Sequence, residues 1–591
     1  MSHAVVRWLA VCVAVLVFVS GTKAGDSDPA GVVVLEVEGT PVEAAGPLAW
    51  LGMGGTTLRD YVGMLHEAAW RDDVDAVLVR LKDAALGFTH VQELGDAMLA
   101  VRGNGKRVIV YAENYGPTDL LLASYADESL IQRAGSVSFP GMHMEEIFLA
   151  DTLAWIGMKA DLVQVGDYKG ANEMFTRTGP SEAWERNVTQ LLDGLYSEMR
   201  AMLKANRGLS DAELDAAMRD LWWGTAEEAV RHRLIDGEVD LDEIEDRLAS
   251  SLGADVEWAD ELGASVQPPS MSDPFAVFRI FTQQPDHSAT MPSIAVVYID
   301  GAIVDGDSSQ GGFLGESSVG SRTIRNALDD ILHDDLILGV VVRIDSPGGS
   351  ATASEVIWQG LRRVAAEKPV WVSVGSMAAS GGYYIAVGGD RIYMNPSSIV
   401  GSIGVVGGKI SMGPLYDRLK VRVTTRTRGP AGDMFSSTEP WSPAQVEQVR
   451  AKMKQTYDLF TRRVVAGRPG IDLSKTAEGR LFTAERAIRL GMADEIGGLD
   501  ACIEALAAEL GLDEYDVLEF PGPKSIAELL EEMFGSAVKA PGLSLTAGFT
   551  DTAGELIGDQ AWSEVRRGAA ALMQLRREPV LLTMPRAIVV R

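Results

Sequence analysis

A serine in the second half of the chain has the surroundings of an exposed nucleophile. Ser380 lies within SMAASGGYYIA, between small residues and a glycine pair, shortly after the apolar run VWVSV. Small residues let the backbone turn sharply and let a second chain approach closely. A serine hydroxyl becomes a good nucleophile only when a neighbouring base takes its proton. The sequence must therefore supply a base if Ser380 is to react.

A lysine in the first half is the strongest candidate for that base. VQVGDYKGANEMF, which contains Lys169, aligns with VTTRTRGPAGDMF, where Gly429 replaces the lysine. Conversely, the position of Ser380 is occupied in the first half by Pro117. This complementary loss predicts one site assembled from both halves, with a lysine base as in known Ser-Lys variants of the catalytic triad. Independent drift of two structural halves is the alternative.

Other candidate bases fit less well. Within residues 294–520 the sole histidine is His333, in a predicted helix-to-strand connection, where we expect a solvated side chain. His90, His143 and His232 show no partner pattern. Lys409, in VGGKISMG, is a rival base from the nucleophile's own half, and we rank it below Lys169.

A lysine base has to be kept neutral. Its usual pKa of about 10.4 leaves it protonated at neutral pH, and burial away from water lowers that pKa. We therefore expect Lys169 in a dry pocket, with Tyr168 and Phe175 as candidate walls. Asp167 and Glu173 must point away, since a paired carboxylate would raise the pKa of Lys169.

The elements that must position these residues come from a duplication. GVVVLEVEGTPVE from Gly31 resembles SIAVVYIDGAIVD from Ser293, and AVLVRLKD from Ala76 resembles GVVVRIDS from Gly339. WWGTAEEAVRHRLID likewise resembles RLFTAERAIRLGMAD. The matching segments lie about 260 residues apart, which is too long a period for a solenoid repeat. The sequence therefore predicts one domain present twice.

Each copy alternates apolar β-branched runs with segments of helical period. Runs such as VVVRI suit strands buried on both faces of a parallel sheet, and amphipathic stretches such as residues 353–366 suit crossover helices. An α/β fold class follows. The predicted organisation is an N-terminal apolar segment over 1–25, a first copy over 30–262, a linker over 263–292, a second copy over 293–520 and a C-terminal extension over 521–591. The end of that extension, VLLTMPRAIVV, looks extended.

Bulk composition excludes several function classes. The net charge of -30 repels phosphate backbones, so nucleic acid is an unlikely partner class. Two cysteines, Cys12 and Cys502, exclude a disulfide framework and a cysteine zinc site; Cys502 is predicted to be a buried thiol. No cofactor or metal is expected.

The first 25 residues indicate export. Arg7 precedes an apolar run over residues 8–19, and TKAG follows. This pattern is typical of a cleaved signal peptide or an uncleaved anchor. In either case the positive charge stays in the cytoplasm and the bulk of the chain is exported.

Four motifs together resemble a known family. LGVVVRIDSPGGSATASE, SMAASGGYYIA and NPSSIVGSIGV in the second copy, with GDYKGANEMF in the first, are similar to the long, duplicated form of signal peptide peptidase A. The resemblance implies a ClpP/crotonase-type fold and a membrane-bound serine endopeptidase without a cofactor. It also implies a homotetramer at the bacterial inner membrane, with its catalytic bulk on the periplasmic side. The implied substrates are remnant signal peptides and other extended apolar peptides, which could add to a sheet edge near the site.

The resemblance also assigns roles to residues. It implies Ser380 as the nucleophile, Lys169 as the general base, Ser402 as the residue that orients the lysine, and Gly348 and Gly381 as the oxyanion-hole amides. Gly170 stands after Lys169 where the family pattern has serine, which puts the local support of the lysine in doubt.

Two other functions stay open from the sequence. A crotonase-like acyl-CoA hydratase or isomerase would use two backbone amides without a Ser-Lys pair. A non-catalytic membrane scaffold would keep the fold alone. The export segment and the Ser380 and Lys169 pattern favour the endopeptidase.

Overall fold

β-Branched runs form the strands that the sequence predicts for them, and both halves build parallel sheets. The computed structural model describes residues 28–51, 55–263, 287–309, 317–525 and 580–583. The predicted N-terminal segment, most of the predicted linker and most of the C-terminal extension lie outside the described residues. The predicted α/β class is confirmed, and its unit occurs twice.

The first half contains nine strands and nine α-helices among its described residues. The strands are β1 (Ala30–Glu38), β2 (Ala76–Lys82), β3 (Arg107–Ala112), β4 (Glu128–Gln132), β5 (Ser136–Val137), β6 (Lys159–Val165), β7 (Gly224–Thr225), β8 (Gly237–Val239) and β9 (Val256–Trp258). The helices are α1 (Leu58–Trp70), α2 (Phe88–Gly103), α3 (Pro117–Ala123), α4 (Ala150–Ile156), α5 (Glu173–Thr176), α6 (Glu182–Arg207), α7 (Asp211–Asp220), α8 (Ala226–Arg231) and α9 (Ile244–Leu252). Six of the strands form a parallel sheet in the order β8-β4-β3-β2-β1-β9.

The second half again alternates strands with helices, with additional short strands. Its strands are β10 (Ser293–Asp300), β11 (Ala302–Val304), β12 (Ser318–Gly320), β13 (Ile337–Ser346), β14 (Gly348–Ser350), β15 (Val370–Ala379), β16 (Arg391–Met394), β17 (Ile399–Gly401), β18 (Val405–Ser411), β19 (Leu481–Thr483), β20 (Glu495–Ile496), β21 (Asp516–Phe520) and β22 (Val580–Thr583). Its helices are α10 (Ser321–His333), α11 (Ala351–Val364), α12 (Gly381–Ala386), α13 (Gly413–Arg418), α14 (Pro443–Gly467), α15 (Leu473–Thr476), α16 (Ala484–Arg489) and α17 (Leu499–Leu510). The main sheet runs β19-β17-β15-β13-β10-β21, with β16 and β20 branching from β15.

The crossover helix predicted over 353–366 begins slightly earlier, as α11. Ser350 caps it, because its Oγ accepts a hydrogen bond from the Ala353 amide at 3.1 Å. Such caps fix where a helix starts. The short β14 strand therefore leads directly into a helix, and the glycines of SPGG lie at that junction.

A third sheet joins the two halves. Its order is β12-β11-β14-β22-β18-β6, and β6 is its only strand from the first half among the described residues. β6 pairs antiparallel with β18 along seven residues, from Val165 opposite Val405 to Lys159 opposite Ser411. This pairing fixes the loop that follows β6 against the second half.

Two large apolar clusters lie mainly one in each half, and a smaller one packs α6 of the first half against β15, β17 and β19 of the second. One cluster packs α1 and α2 on the first sheet, and a second packs α10, α11 and α14 on the main sheet of the second half. Over the described ranges, no helix combines the length and the apolar character that a bilayer crossing requires. The expected membrane segment falls in residues 1–25, outside those ranges.

Candidate active site

Ser380 lies at a sharp turn between β15 and α12. Its backbone has φ 54° and ψ −109°, a conformation that is uncommon for a residue with a side chain. Two hydrogen bonds hold the turn: the Ser380 amide donates to Gly401 O at 2.8 Å, and Ser380 O accepts from the Tyr384 amide at 2.9 Å. The small residues of SMAASGG therefore form the tight turn that their types suggest.

Lys169 reaches Ser380 within one chain. It follows β6 and stands directly before a 3-10 turn over Gly170–Asn172. Its Nζ lies 2.7 Å from Ser380 Oγ, 2.8 Å from Ser402 Oγ and 2.9 Å from Ser402 O. The lysine that the second copy lacks thus meets the serine that the first copy lacks.

Two glycines make room for the lysine. A Cβ atom on Gly404 would lie 3.1 Å from Lys169 Cδ, and one on Gly479 would lie 2.5 Å from the Lys169 amide nitrogen. Gly479 also has φ +86°, which favours glycine. The lysine side chain therefore passes through a channel that larger residues would fill.

Burial sets the protonation of Lys169. The residue is 1% exposed, and the loss of water lowers the pKa of Lys169 well below its usual value. The neighbouring acids point elsewhere, as the lysine base requires. Asp167 is exposed, and Glu173 accepts a hydrogen bond from the Ser181 amide at 2.7 Å.

The two aromatic rings expected as pocket walls have other neighbours. Phe175 packs with Leu153 and Met174 in a separate cluster. The Tyr168 ring lies 4.0 Å from the Arg480 guanidinium. The narrowness of the lysine channel instead reflects the close approach of Gly404 and Gly479.

The indole of Trp184 explains why position 170 holds a glycine. A Cβ atom on Gly170 would lie 2.2 Å from the indole of Trp184, a buried residue near the start of α6. A serine at position 170 would collide with that ring. The departure from the family pattern is therefore matched by a large side chain that supports the lysine turn.

The two predicted oxyanion-hole glycines lie beside each other. A Cβ atom on Gly348 would be 2.6 Å from the Gly381 amide nitrogen. Gly381 is the first residue of α12, and the first N–H groups of a helix have no partner within it. The Gly348 amide, by contrast, donates to Ser346 Oγ at 3.1 Å, and that hydroxyl donates to Gly301 O at 2.6 Å. Gly348 would have to exchange this bond to bind an oxyanion.

The rival base Lys409 faces away from the serine. Its Nζ donates to Ser436 O at 2.9 Å and Glu439 O at 2.7 Å. His333 is bonded through Nδ1 to Asp329 O at 2.6 Å, in an exposed position. Lys169 is the basic side chain that the structure brings to Ser380.

A buried ion network behind the site was missed from the sequence. Arg343 is 1% exposed; its Nε donates to Glu43 at 2.8 Å and its Nη2 donates to Glu93 at 2.7 Å. Both acids belong to the first half. Next along β13, Asp345 accepts hydrogen bonds from the Ser376 and Met377 amides at 3.1 and 3.2 Å. Charged residues inside the buried run VVVRIDS were the signal, since buried charges are almost always paired.

Comparison with known proteins places the chain in a family. The sequence profile of Peptidase family S49 matches residues 100–255 and 362–513. "Protease 4" of Salmonella typhi is 27% identical over 82% of this chain and 77% of its own length. "Protease 4" of Haemophilus influenzae is 28% identical over 69% of this chain and 66% of its own length. "Putative signal peptide peptidase SppA" of Enterococcus faecium is 28% identical over 40% of this chain and 69% of its own length.

The two profile matches fall one in each half, as the duplication requires, and they favour a peptidase over an acyl-CoA enzyme or a scaffold. The chain therefore belongs to Peptidase family S49 and is a peptidase.

Proposed function

We propose that this peptidase is a serine endopeptidase in which Lys169 is the general base and Ser380 the nucleophile. The 2.7 Å contact between Lys169 Nζ and Ser380 Oγ, made by a buried lysine, carries the proposal. Ser402 orients the amine, because its Oγ and its carbonyl oxygen both lie within hydrogen-bond distance of Nζ. The relatives named protease are consistent with this chemistry.

The proposed reaction uses this geometry. Neutral Lys169 takes the Ser380 proton while Oγ attacks the peptide carbonyl carbon, and the carbonyl oxygen becomes an oxyanion. The amides of Gly381 and Gly348 would stabilise that charge. The lysine then gives its proton to the leaving amine, which leaves an acyl group on Ser380. The same lysine then deprotonates a water that attacks the acyl carbon, and it returns that proton to Ser380 Oγ as the carboxylic acid product leaves.

The substrates we propose are extended apolar peptides, with remnant signal peptides as the physiological class. The Enterococcus relative is named as a putative signal peptide peptidase. An extended peptide would add as a strand beside Ser380, between β14 and β18 of the third sheet, where β22 lies in this structure.

The location and assembly are proposals as well. We infer export and membrane association through residues 1–25, with the catalytic bulk on the periplasmic side, from Arg7 and the apolar run that follows. A homotetramer agrees with several tryptophans that are more than 60% exposed on the first half and could be covered by other subunits: Trp70, Trp155, Trp222 and Trp223. Sedimentation of the detergent-solubilised chain would show tetramer or monomer.

Hydrolysis of a quenched leucine-rich peptide tests the proposed function. The wild-type chain should cleave it, and Ser380→Ala and Lys169→Met should each lose activity by at least roughly 10³-fold. Lys452→Met, at an exposed lysine on α14, is the matched control and should cleave normally. Retained cleavage by Ser380→Ala would refute the assignment of the nucleophile.

A further inference from the structure

The strand that leads to the candidate nucleophile, β15, carries a bulge shortly before its end. Between two paired positions, β13 advances by two residues, from Ile344 to Ser346, while β15 advances by four, from Val374 to Ala378. One residue of β13, Asp345, therefore faces three residues of β15. Such a bulge bends the strand and re-aims the side chains that follow it, and bulges are common next to active sites.

The bulge moves β15 from one neighbouring strand to another. Before the bulge β15 pairs with β16, and after it β15 pairs with β17. β17 ends at Gly401, whose carbonyl oxygen accepts a hydrogen bond from the Ser380 amide, and Ser402 follows directly. Because Ser402 contacts the amine of Lys169, the bulge sets the position of the nucleophile relative to the residues that hold the base.

The carboxylate of Asp345 holds the bulge by its backbone. Oδ2 accepts a hydrogen bond from the Ser376 amide at 3.1 Å, and Oδ1 accepts one from the Met377 amide at 3.2 Å. Ser398 binds the same segment through a carbonyl, because its Oγ donates to Gly375 O at 2.6 Å. The two amide bonds suit an ionised carboxylate, since protonation turns one of its oxygens into an O–H donor.

Asp345 also lies on the strand that leads to a candidate oxyanion glycine. Gly348 follows it by three residues, at the start of β14. Gly375 leaves room for the contact, because a Cβ atom there would lie only 3.1 Å from Asp345 Oδ2. One side chain thus joins the strand that carries Gly348 to the strand that carries Ser380.

The first half bends at the same place without a carboxylate. The position of Asp345 is occupied there by Lys82, in AVLVRLKD, and the Lys82 ammonium pairs with Glu36. A lysine has no hydrogen-bond acceptor and cannot hold backbone amides. The chain nevertheless leaves β3 and bridges Tyr115 to Val137 of β5, as β15 pairs with β17. The bend therefore belongs to the fold, whereas the carboxylate accompanies the nucleophile.

The surroundings of Asp345 make its charge sensitive to pH. Burial raises the pKa of Asp345 to about 7, and the carboxylates of Glu43 and Asp300 add to the effect. The charged and titratable side chains around Asp345 and its partners are Glu43, His90, Glu93, Asp300 and Arg343. An ionised carboxylate therefore holds the bulge above about pH 7, and a neutral acid faces it at lower pH.

We propose that Asp345 is a positioning residue of the peptidase, whose carboxylate holds the bulge of β15 so that Ser380 lies within reach of Lys169 and the Gly348 amide. This inference rests on the proposed function. Asp345 acts through the backbone of β15, so its loss should slow the reaction of Ser380 without weakening the binding of peptide. A displacement of about 1 Å can slow a reaction by roughly 10²-fold.

Asp345→Asn tests this role, because asparagine keeps the shape of the side chain and replaces one acceptor oxygen with a donor. At pH 8, kcat for the quenched peptide should fall at least roughly tenfold, while KM stays within about twofold. Asp300→Asn is the matched control. Asp300 lies opposite Asp345 and its pKa is raised to about 6, but β10 lies on the side of β13 away from β15. The control should cleave normally, and equal kcat in the two variants would overturn the proposal.

The pH dependence of serine labelling separates positioning from folding. The rate constant for phosphonylation of Ser380 by a fluorophosphonate, wild type divided by Asp345→Asn, should rise with pH through about 7, because asparagine resembles the neutral acid. The base Lys169 is common to both chains, so its titration cancels in this ratio. A wild-type rate constant in Asp345→Asn at every pH, with only a smaller labelled fraction, would indicate lost folded protein and overturn the positioning role.

Hydrogen exchange followed by mass spectrometry gives a readout that needs no catalysis. The amides of residues 375–380 should exchange several-fold faster in Asp345→Asn than in wild type or Asp300→Asn. Equal exchange in the three chains would overturn the role of Asp345. If the wild-type chain neither cleaves the peptide nor is labelled, the proposed function fails, whereas faster exchange confined to Asp345→Asn would still support its hold on the bulge.

Discussion

The burial of Lys169, the residue that we propose as the base, has a consequence for the stability of the folded chain. Burial lowers the pKa of Lys169 well below its usual value, so the folded chain holds the lysine neutral where the unfolded chain would protonate it. Between the lowered pKa and about 10.4, the unfolded state binds more protons, and the free energy of unfolding therefore decreases as the pH falls. The base costs stability at neutral pH.

Replacing this lysine should therefore stabilise the chain while it abolishes activity. Methionine is close to lysine in shape, so Lys169→Met should raise the free energy of unfolding at pH 7, and the gain should shrink toward pH 10. Urea denaturation at pH 7 and at pH 10 measures this gain in the free energy of unfolding. Lys452→Met, at an exposed lysine, should show no gain. A destabilised Lys169→Met at pH 7 would contradict the buried neutral lysine.

Gly170 should tolerate no side chain while Trp184 is present. The Cβ of Gly170→Ala would meet the indole at 2.2 Å, and such overpacking costs about 1–3 kcal/mol. Because Lys169 is the preceding residue, kcat/KM should fall as well. Gly63→Ala, where a Cβ meets nothing within 4 Å, is the control for thermal unfolding and peptide cleavage. Equal thermal unfolding and equal cleavage in Gly170→Ala and Gly63→Ala would show that Trp184 does not require a glycine at position 170.

At the scale of elements, the β6–β18 pair decides whether the two halves share a site. A Cβ atom on Gly408 would lie 2.2 Å from Asp161 O on the facing strand. Gly408→Ala should therefore push β6 away from β18, destabilise the chain by about 1–3 kcal/mol and lower kcat by displacing Lys169. Gly179→Ala, where a Cβ meets nothing within 4 Å, should do neither. Peptide cleavage and thermal unfolding give the result, and normal kcat in Gly408→Ala would contradict this role of the strand pair.

The sequence predicted which segments form strands better than it predicted which strands pair with each other. VVVRI and VWVSV became parts of β13 and β15, because a continuous β-branched run suits a strand buried on both faces. The complementary loss at Lys169 and Ser380 indicated a shared site, and the two side chains do meet. By contrast, the pairing of Val580–Thr583 with β14 joins segments more than 200 positions apart, and no local pattern encodes such a pairing.

At the scale of the whole molecule, the halves are held together by charge as well as by strands. Arg343 of the second half is buried between Glu43 and Glu93 of the first. Removing one partner from a buried ion pair leaves an uncompensated charge and costs about 3–5 kcal/mol. The same network lies along β13, which leads to the SPGG turn, so its loss should also disturb the site.

Arg343→Met should accordingly lower the free energy of unfolding by about 3–5 kcal/mol. Arg80→Met is the matched control, because Arg80 pairs with Glu36, which is 43% exposed, and such surface pairs contribute about 0–1 kcal/mol. Chemical denaturation followed by tryptophan fluorescence compares the two. Similar small losses in both variants would show that the Arg343 network does not hold the halves together.

The rate at which a fluorophosphonate phosphonylates Ser380, with loss of fluoride, measured against pH, tests the central claim that the first half supplies the base for a serine of the second. The wild-type rate should rise with pH through an apparent pKa well below that of free lysine, as the burial of Lys169 requires. Lys169→Met should label roughly 10²–10⁴-fold more slowly and lose that pH dependence. Labelling of folded Lys169→Met at the wild-type rate would contradict the dyad.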